Sequence, residues 1–425
     1  MGRSVDCTVP PPQPSRHQLV VSAAKTFILF ILVSLLVAFA GIRLSPSLQG
    51  TDFVDFYAAA RMVAEGHAHQ LYDANVQRQY QARDASRVGT LYIHPPFEAA
   101  IYLAVAWLPL KSAYLLWSAF SLGFLALAAR LLAKEARPPW DWRICFAASL
   151  TFVPVLLCLV QGQDSLLLLL LIVFAFTSLR RDHGFPAGCW LALALFKFQI
   201  IVPLTLVLAV TQEKTVRRAL LKGFGLVALA LAILSAAISG RSVFVVYPSF
   251  LLHLPEQAFA GIFPQAMANF RGFIHLIFHG QRSPWTVAAM AVLFAVALLK
   301  TLAAGKRASI VSRSHSASRL DFDAAFGGTV MFALLVSYHL NPHDLSLLLL
   351  PISLLMHSVW LPTQRPRRFT NWVILSLLVI LFLPLLHLWA LEAHAYDWIS
   401  VPLVLLFLTN GRAARPDQAQ AATLR

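Results

Sequence analysis

Residues 220–238 read LLKGFGLVALALAILSAAI, and this stretch decides the class of protein. Apart from Lys222, it carries no charged side chain over the ~20 residues that a helix needs to cross a membrane. Similar apolar runs, separated by short basic patches, recur along the chain. Apolar residues make up 58% of the sequence and charged residues 12%, whereas soluble domains carry about 25% charged residues. The sequence therefore predicts an all-α polytopic membrane protein.

The apolar runs predict a bundle of about 12 transmembrane helices. Phe185–Val210 supplies two of them: basic clusters flank it on both sides, so we expect it to enter the membrane and return, with a polar tip at Lys197-Phe198-Gln199. The other predicted spans are Thr26–Ile42, Ala113–Leu132, Ile144–Val160, Leu166–Leu179, Leu220–Ile238, Trp285–Leu302, Phe322–Tyr338, Leu345–Trp360, Trp372–Leu391 and Trp398–Leu408. Phe97–Leu110 is too short to span comfortably, and we interpret it as re-entrant or interfacial.

The formal net charge of +15 is carried by short clusters of Lys and Arg between the apolar runs. Such clusters mark cytoplasmic loops, and no basic stripe interleaved with aromatic residues indicates nucleic-acid binding. This pattern predicts a multi-pass protein of the bacterial plasma (inner) membrane, surrounded by membrane lipids, with both termini cytoplasmic. The predicted parts are a tail over 1–25, a transmembrane domain over 26–411 with outer loops 43–111 and 241–284, and a tail over 412–425.

The first outer loop contains the first candidate for chemistry. Phe53, Phe56 and Tyr57 recur at helical spacing, which predicts an amphipathic helix lying on the membrane. Asp52 and Asp55 are three residues apart near its start, so they share one face. An aspartate in a first helical turn is favoured by the helix dipole alone. A carboxylate beside a membrane cavity can also serve as a general base toward a sugar hydroxyl.

Three polar clusters interrupt the apolar sequence at predicted outer helix ends: Gln161 to Asp164, Lys197 to Gln199 and Tyr338 to Asp344. Each is also compatible with a simple turn. A lysine at the tip of a membrane hairpin is costly unless it meets water, protein or an anion, so Lys197 and the histidines of the third cluster are candidates for holding a phosphate. Pro342 lies between His339 and His343 and argues against a helical metal site.

Taken in order, several motifs resemble glycosyltransferase family 87, the polyprenyl-phosphate-mannose-dependent mannosyltransferase-like proteins of the GT-C superfamily. The resemblance extends from about Asp52 to Pro351. It is carried by Asp52-Phe53-x-x-Phe56-Tyr57-Ala58-Ala59, Tyr92-x-x-Pro95-Pro96-Phe97, Gly162-Gln163, Lys197-x-Gln199 with Pro203, Asn269 with Arg271, and Ser337 to His343.

The resemblance implies a GT-C-like bundle with a structured first extracytoplasmic loop. It implies an inverting hexosyltransferase that uses a polyprenyl-phosphate-linked sugar donor and a lipid or glycan acceptor of the cell envelope, without a cofactor or a metal. Asp52 would be the base, with Asp55 in reserve. The implied donor-phosphate contacts are Lys197, Gln199, Arg271, His339 and His343, and the implied substrate contacts are Tyr57, Gln163 and Asn269.

One departure from the family leaves a choice open. Ser337-Tyr338-His339-Leu340-Asn341 replaces the more usual Ser-Pro-x-Ser-Trp. The phosphate contact therefore falls on either His339 or His343, and mannose is not singled out among the hexoses.

Two other classes of protein fit the composition. A polytopic transporter or lipid flippase also has many spans with polar breaks, although transporters often have two similar halves, and no internal repeat is evident here. A non-catalytic scaffold of an envelope-assembly complex is the third class. It predicts that Asp52, Lys197 and His343 do not converge in space.

Overall fold

The computed structural model describes residues 51–85, 89–136, 139–254, 262–281, 283–311, 317–360 and 384–409. Within these ranges the chain forms α-helices and short 3-10 segments and contains no β-strand, which confirms the all-α prediction for this part of the protein. The predicted tails, the span Thr26–Ile42 and residues 372–383 of the span Trp372–Leu391 lie outside the described residues.

The helices are numbered in chain order. The first four are α1 (Phe53–Ala64), α2 (Ala74–Asp84), α3 (Pro96–Ala106) and α4 (Leu110–Glu135). The middle of the chain forms α5 (Trp142–Leu150), α6 (Val153–Gln161), α7 (Ser165–Leu179), α8 (Gly184–Leu193), α9 (Phe198–Thr211) and α10 (Lys214–Ser239). The last part forms α11 (Val243–His253), α12 (Phe270–Phe278), α13 (Pro284–Val311), α14 (Ala317–Val336), α15 (Leu349–Trp360), α16 (Pro384–Glu392) and α17 (Ser400–Thr409). Short 3-10 segments cover Ala68–Gln70, Leu195–Lys197, Pro264–Ala266, Pro342–Leu348 and Tyr396–Ile399.

Three of the described helices are long and apolar enough to cross a membrane: α4, α10 and the first 25 residues of α13. Two bent pairs, α5 with α6 and α8 with α9, meet the same test when each pair is taken together. Leu226, Leu229 and Ile233 share one face of α10 and are each about 60% exposed. Such an apolar face belongs in lipid or against another apolar surface. The chain is therefore a membrane protein, and the total of 12 spans stays a prediction.

The packing of the next helix agrees with a return of the chain within Phe185–Val210, and the count of this stretch as two membrane spans stays a prediction. α8 and α9 are separated by a bend at Leu195–Lys197, which puts the predicted polar tip at the break. Gly184 and Gly188 of α8 lie against the backbone of Val216 and Leu220 in α10. Because α10 begins three residues after α9 ends, α9 must bring the chain back to the level at which α8 began.

The prediction that α1 lies on the membrane as an amphipathic helix is wrong. All residues from Phe53 to Ala60 are buried, because α3 and α4 cover the helix. The ring of Phe56 stacks on Tyr102 of α3 with centroids 4.7 Å apart, and Tyr102 lies 4.3 Å from Trp117 of α4. Burial of these large aromatic side chains stabilises the loop as a core of its own, which holds the start of α1 in place.

The interpretation of Phe97–Leu110 as a non-spanning segment agrees with the length of α3. This helix has 11 residues, which extend about 16 Å, roughly half the thickness of a hydrocarbon core. It packs against α1 and buries Ala99 and Tyr102 completely.

Candidate functional site

A cavity of about 870 Å³ opens where the start of α1, the turn after α6, the tip between α8 and α9, and the segment before α15 come together. Most of the predicted site residues line it: Asp52, Asp55, Gln163, Lys197, Gln199, His339 and His343. These residues come from four separate regions of the sequence. Their convergence is the opposite of what a non-catalytic scaffold predicts.

Asp52 lies at the N-terminal end of α1, with its side chain partly exposed to the cavity. Gln163 Nε2 donates a 2.6 Å hydrogen bond to Asp52 Oδ2, and the backbone N–H of Asp52 donates to Gln161 Oε1 at 3.1 Å. Burial raises the pKa of Asp52 above the ordinary aspartate value, because the charged form loses hydration. Asp52 is therefore a stronger base than an exposed aspartate, and its hydrogen bond with Gln163 holds it in one orientation.

The turn that supplies both glutamines depends on Gly162. Its φ is +66°, a left-handed conformation that favours glycine. A Cβ at this position would also lie 2.6 Å from the Cβ of Phe53. The glycine therefore lets Gln161 and Gln163 approach Asp52 closely.

Asp55 lines the same cavity but is only 4% exposed. Its carboxylate accepts hydrogen bonds from Gln81 Nε2 at 3.0 Å and from Thr90 Oγ1. Burial, with the neighbouring charge of Asp52, raises the pKa of Asp55 well above its usual range. Because both its oxygens are engaged by the protein, Asp55 is the poorer candidate for taking a substrate proton.

The surroundings of Lys197 bear on its predicted role as a phosphate contact, which stays a prediction. Its ammonium group is buried and contacts Asp344 Oδ1 at 3.2 Å, Gln163 Oε1 at 3.3 Å and Asp164 Oδ1 at 3.4 Å. Gln163 and Asp344 accept hydrogen bonds from it, whereas Asp164 lies at ion-pair distance without a hydrogen bond. Lys197 is therefore the counterion of buried carboxylates and does not present an unpaired charge to a phosphate. Through Gln163 it is also linked to Asp52.

His339 and His343 both face the cavity and keep hydrogen-bonding capacity. His339 Nδ1 and His343 Nε2 are buried and have no hydrogen-bond partner among the described residues, although His343 Nε2 lies 3.6 Å from Asp344 Oδ1. Asp344 and Asn341 form a capping box that fixes the start of the segment Pro342–Leu348. The choice between the two histidines as a phosphate contact remains open.

Three predicted contact residues do not line the cavity. Tyr57 donates a 2.8 Å hydrogen bond to the carbonyl of Leu108 and holds α1 in place. Asn269 is fully buried and donates to the carbonyl of Ser337 at 2.7 Å. Arg271 donates to the carbonyl of Tyr338 at 3.2 Å, and its guanidinium lies 4.4 Å from the centre of that ring. Asn269 and Arg271 therefore position the segment that carries His339.

Sequence reasoning missed His94, which lines the cavity. His94 Nδ1 lies 2.8 Å from Glu98 Oε2, and Asp164 completes a cluster whose ligand atoms are within 4.8 Å of one another. Burial and the nearby charge of Lys197 lower the pKa of His94 to about 4, so the ring is neutral at pH 7. His94 occupies a variable position of Tyr92-x-x-Pro95-Pro96-Phe97. The sequence feature that could have identified it is a histidine directly before two prolines in an otherwise apolar chain.

Comparison with known protein families gives one match. Residues 92–337 match glycosyltransferase family 87. The matched region contains Gln163, Lys197 and Gln199, but it begins after Asp52 and ends before His339. Searches of curated proteins and of solved structures found no match.

Proposed function

The chain belongs to glycosyltransferase family 87, and we propose that it transfers a hexose from a polyprenyl-phosphate donor to a lipid or glycan acceptor at the outer face of the bacterial inner membrane. In this proposal Asp52 is the general base and the configuration of the sugar is inverted. Mannose is the first donor sugar to test. Family membership supports glycosyl transfer, and the proposed donor is supported by the lining of the cavity.

The observation that carries the proposal is the mixed lining of the cavity, in which ionisable side chains occur together with many apolar ones. Asp52, His339 and His343 line the cavity, and so do Leu252 and Phe263. Leu252 is 78% exposed and Phe263 is 56% exposed, so apolar residues of the lining reach the surface of the protein. A polyprenyl-phosphate sugar likewise combines a charged head with a long hydrocarbon chain.

The chemistry follows from what each group can do. An acceptor hydroxyl attacks the anomeric carbon and forms a new C–O bond while the bond from that carbon to the phosphate oxygen breaks. The proton of the hydroxyl passes to Asp52, and the polyprenyl phosphate leaves as an anion. His339 or His343 stabilises this anion by donating a hydrogen bond, and stabilisation of developing charge is often the largest catalytic contribution.

Reconstitution of the full-length protein in liposomes tests transfer against transport. The probe is polyprenyl-phosphate mannose with a radiolabelled sugar, supplied with a bacterial lipid extract as the acceptor pool. We expect the label to appear in a new glycolipid in proportion to the amount of protein. Movement of the labelled donor across the bilayer with no new glycosidic bond would instead identify a transporter or flippase.

The choice between the two histidines is made by measuring the KM for the donor. A hydrogen bond to a charged group contributes about 1.5–3 kcal/mol, so alanine at the phosphate contact should raise the KM about tenfold or more. His339→Ala and His343→Ala are compared with His69→Ala, because His69 is exposed and does not line the cavity. An unchanged KM in both cavity variants would move the phosphate contact away from this segment.

A further inference from the structure

We propose that His94, Glu98 and Asp164 bind a divalent cation beside the cavity. The three side chains come from the loop before α3, from the first turn of α3 and from the turn before α7. Their ligand atoms all lie within 4.8 Å of one another. Two ligand atoms bound to one ion at about 2.1 Å each are separated by at most ~4.2 Å, so only a small adjustment closes this set around an ion.

The oxygens of the two carboxylates lack the partners that buried carboxylates ordinarily have. Glu98 is 0% exposed and Asp164 is 1% exposed. Glu98 contacts the ring of His94, and Asp164 lies 3.4 Å from Lys197. The two carboxyl groups also contact each other, and apart from these contacts none of their four oxygens has a hydrogen-bond partner among the described residues. Buried polar groups are normally satisfied, so the arrangement indicates a missing ligand.

The local charge points to a divalent ion. Lys197 is the counterion of both Asp164 and Asp344, and Glu98 is the third carboxylate of the buried group. When Glu98, Asp164 and Asp344 are all ionised, their negative charge exceeds the single positive charge of Lys197 by two. Buried charges are stable only when they are paired or coordinate a metal. One divalent cation cancels the excess.

The ligand set also has the features of a metal site. The ring of His94 also lies close to the backbone of Phe196, and histidines that bind metals typically use their other nitrogen in such a contact. One imidazole and two carboxylates suit Mn²⁺ or Zn²⁺. The side chain of His94 is 15% exposed and lines the cavity, which gives the ion a path of entry.

A cation here would add positive charge to the lining of the cavity beside His94, whereas Lys197 is already paired with carboxylates. Its use in binding the phosphate of a lipid-linked donor rests on the proposed function, whereas binding of the ion itself does not. The site would then select donors whose head group is an anion.

The test is a titration of the full-length protein in detergent with Mn²⁺, after EDTA has been used to strip bound metal and has been removed. Binding is measured as the loss of the electron paramagnetic resonance signal of free Mn²⁺. We expect one saturable Mn²⁺ per chain, with competition by Zn²⁺. Glu98→Gln should weaken the affinity at least tenfold, and His94→Gln should do the same. The matched control is Glu65→Gln, because Glu65 pairs with Arg61 and Arg83 outside the cavity. The affinity of the Glu65→Gln variant for Mn²⁺ should equal that of the unmodified protein.

A second measurement guards against variants that do not fold. The melting temperature of the unmodified protein should rise on addition of Mn²⁺ after EDTA, because a ligand that binds only the folded state stabilises it. Absence of saturable binding, or equal affinity in Glu98→Gln, would overturn the cation site. Sugar transfer in EDTA without Mn²⁺ binding would refute the site and keep the proposed function. Saturable Mn²⁺ binding in a protein that transfers no sugar would support the cation site and refute the proposed function.

Discussion

Asp52→Asn should lower the rate of sugar transfer by about 10²- to 10⁴-fold, the usual contribution of a general base. The amide has the shape of the carboxylate and can still accept the hydrogen bond from Gln163, but it cannot take a proton. The folded protein should therefore be retained while the chemical step is lost. Initial rates with labelled donor, together with the melting temperature of each variant, measure the two effects separately.

The matched control for this substitution is Asp55→Asn. Asp55 lies three residues away on the same helix but is held by Gln81 and Thr90, so we expect its replacement to affect stability more than the rate per folded molecule. An active Asp52→Asn enzyme together with an inactive Asp55→Asn enzyme would assign the base to Asp55. Full activity in both variants would remove the acidic base from the mechanism altogether.

Lys197→Met should have the largest effect on stability of any substitution at the site. The lysine is 2% exposed and pairs with Asp344 and Asp164. Removal of one partner from a buried ion pair leaves uncompensated charge and costs about 3–5 kcal/mol. Methionine keeps the length of the side chain and adds no charge. We expect a large fall in the melting temperature, or loss of folded protein during purification.

Two further variants show whether Lys197→Met destabilises the protein by leaving carboxylates unpaired or by disturbing the packing around the side chain. Lys197→Met combined with Asp344→Asn should recover part of the lost stability, because one unpaired carboxylate is removed and the two sites are directly coupled. Lys111→Met replaces an exposed cation on α4 and should change stability by no more than about 0.5 kcal/mol. A melting temperature for Lys197→Met equal to that of the unmodified protein would show that the ion pairs are dispensable, and would restore Lys197 as a candidate for phosphate binding.

Local sequence predicted much of the site because each cluster interrupts an apolar run. The polar tip at Lys197 to Gln199, the glycine turn before α7 and the aspartates at the start of α1 were all visible in this way. What these residues contact was not visible. Asp344 was placed in a turn, yet it is the main partner of Lys197, 147 residues away. No periodicity or spacing rule connects positions at that distance.

The errors have the same origin. α1 looked amphipathic because its aromatic residues recur at helical spacing, but the sequence does not reveal that α3 and α4 cover its other side. The family resemblance implied Asn269 as a substrate contact and Arg271 as a donor-phosphate contact. Their hydrogen bonds instead fix the backbone at Ser337 and Tyr338.

The sequence by itself determined that the protein is helical, lies in a membrane and belongs to a family of glycosyltransferases, because those properties depend on composition, local apolar runs and short motifs. Only the tertiary structure decided which carboxylate is accessible, which lysine is neutralised and which histidine stands beside Glu98. The physical reason is that the protonation and availability of a buried group depend on its neighbours in space, and in this protein those neighbours come from distant parts of the chain.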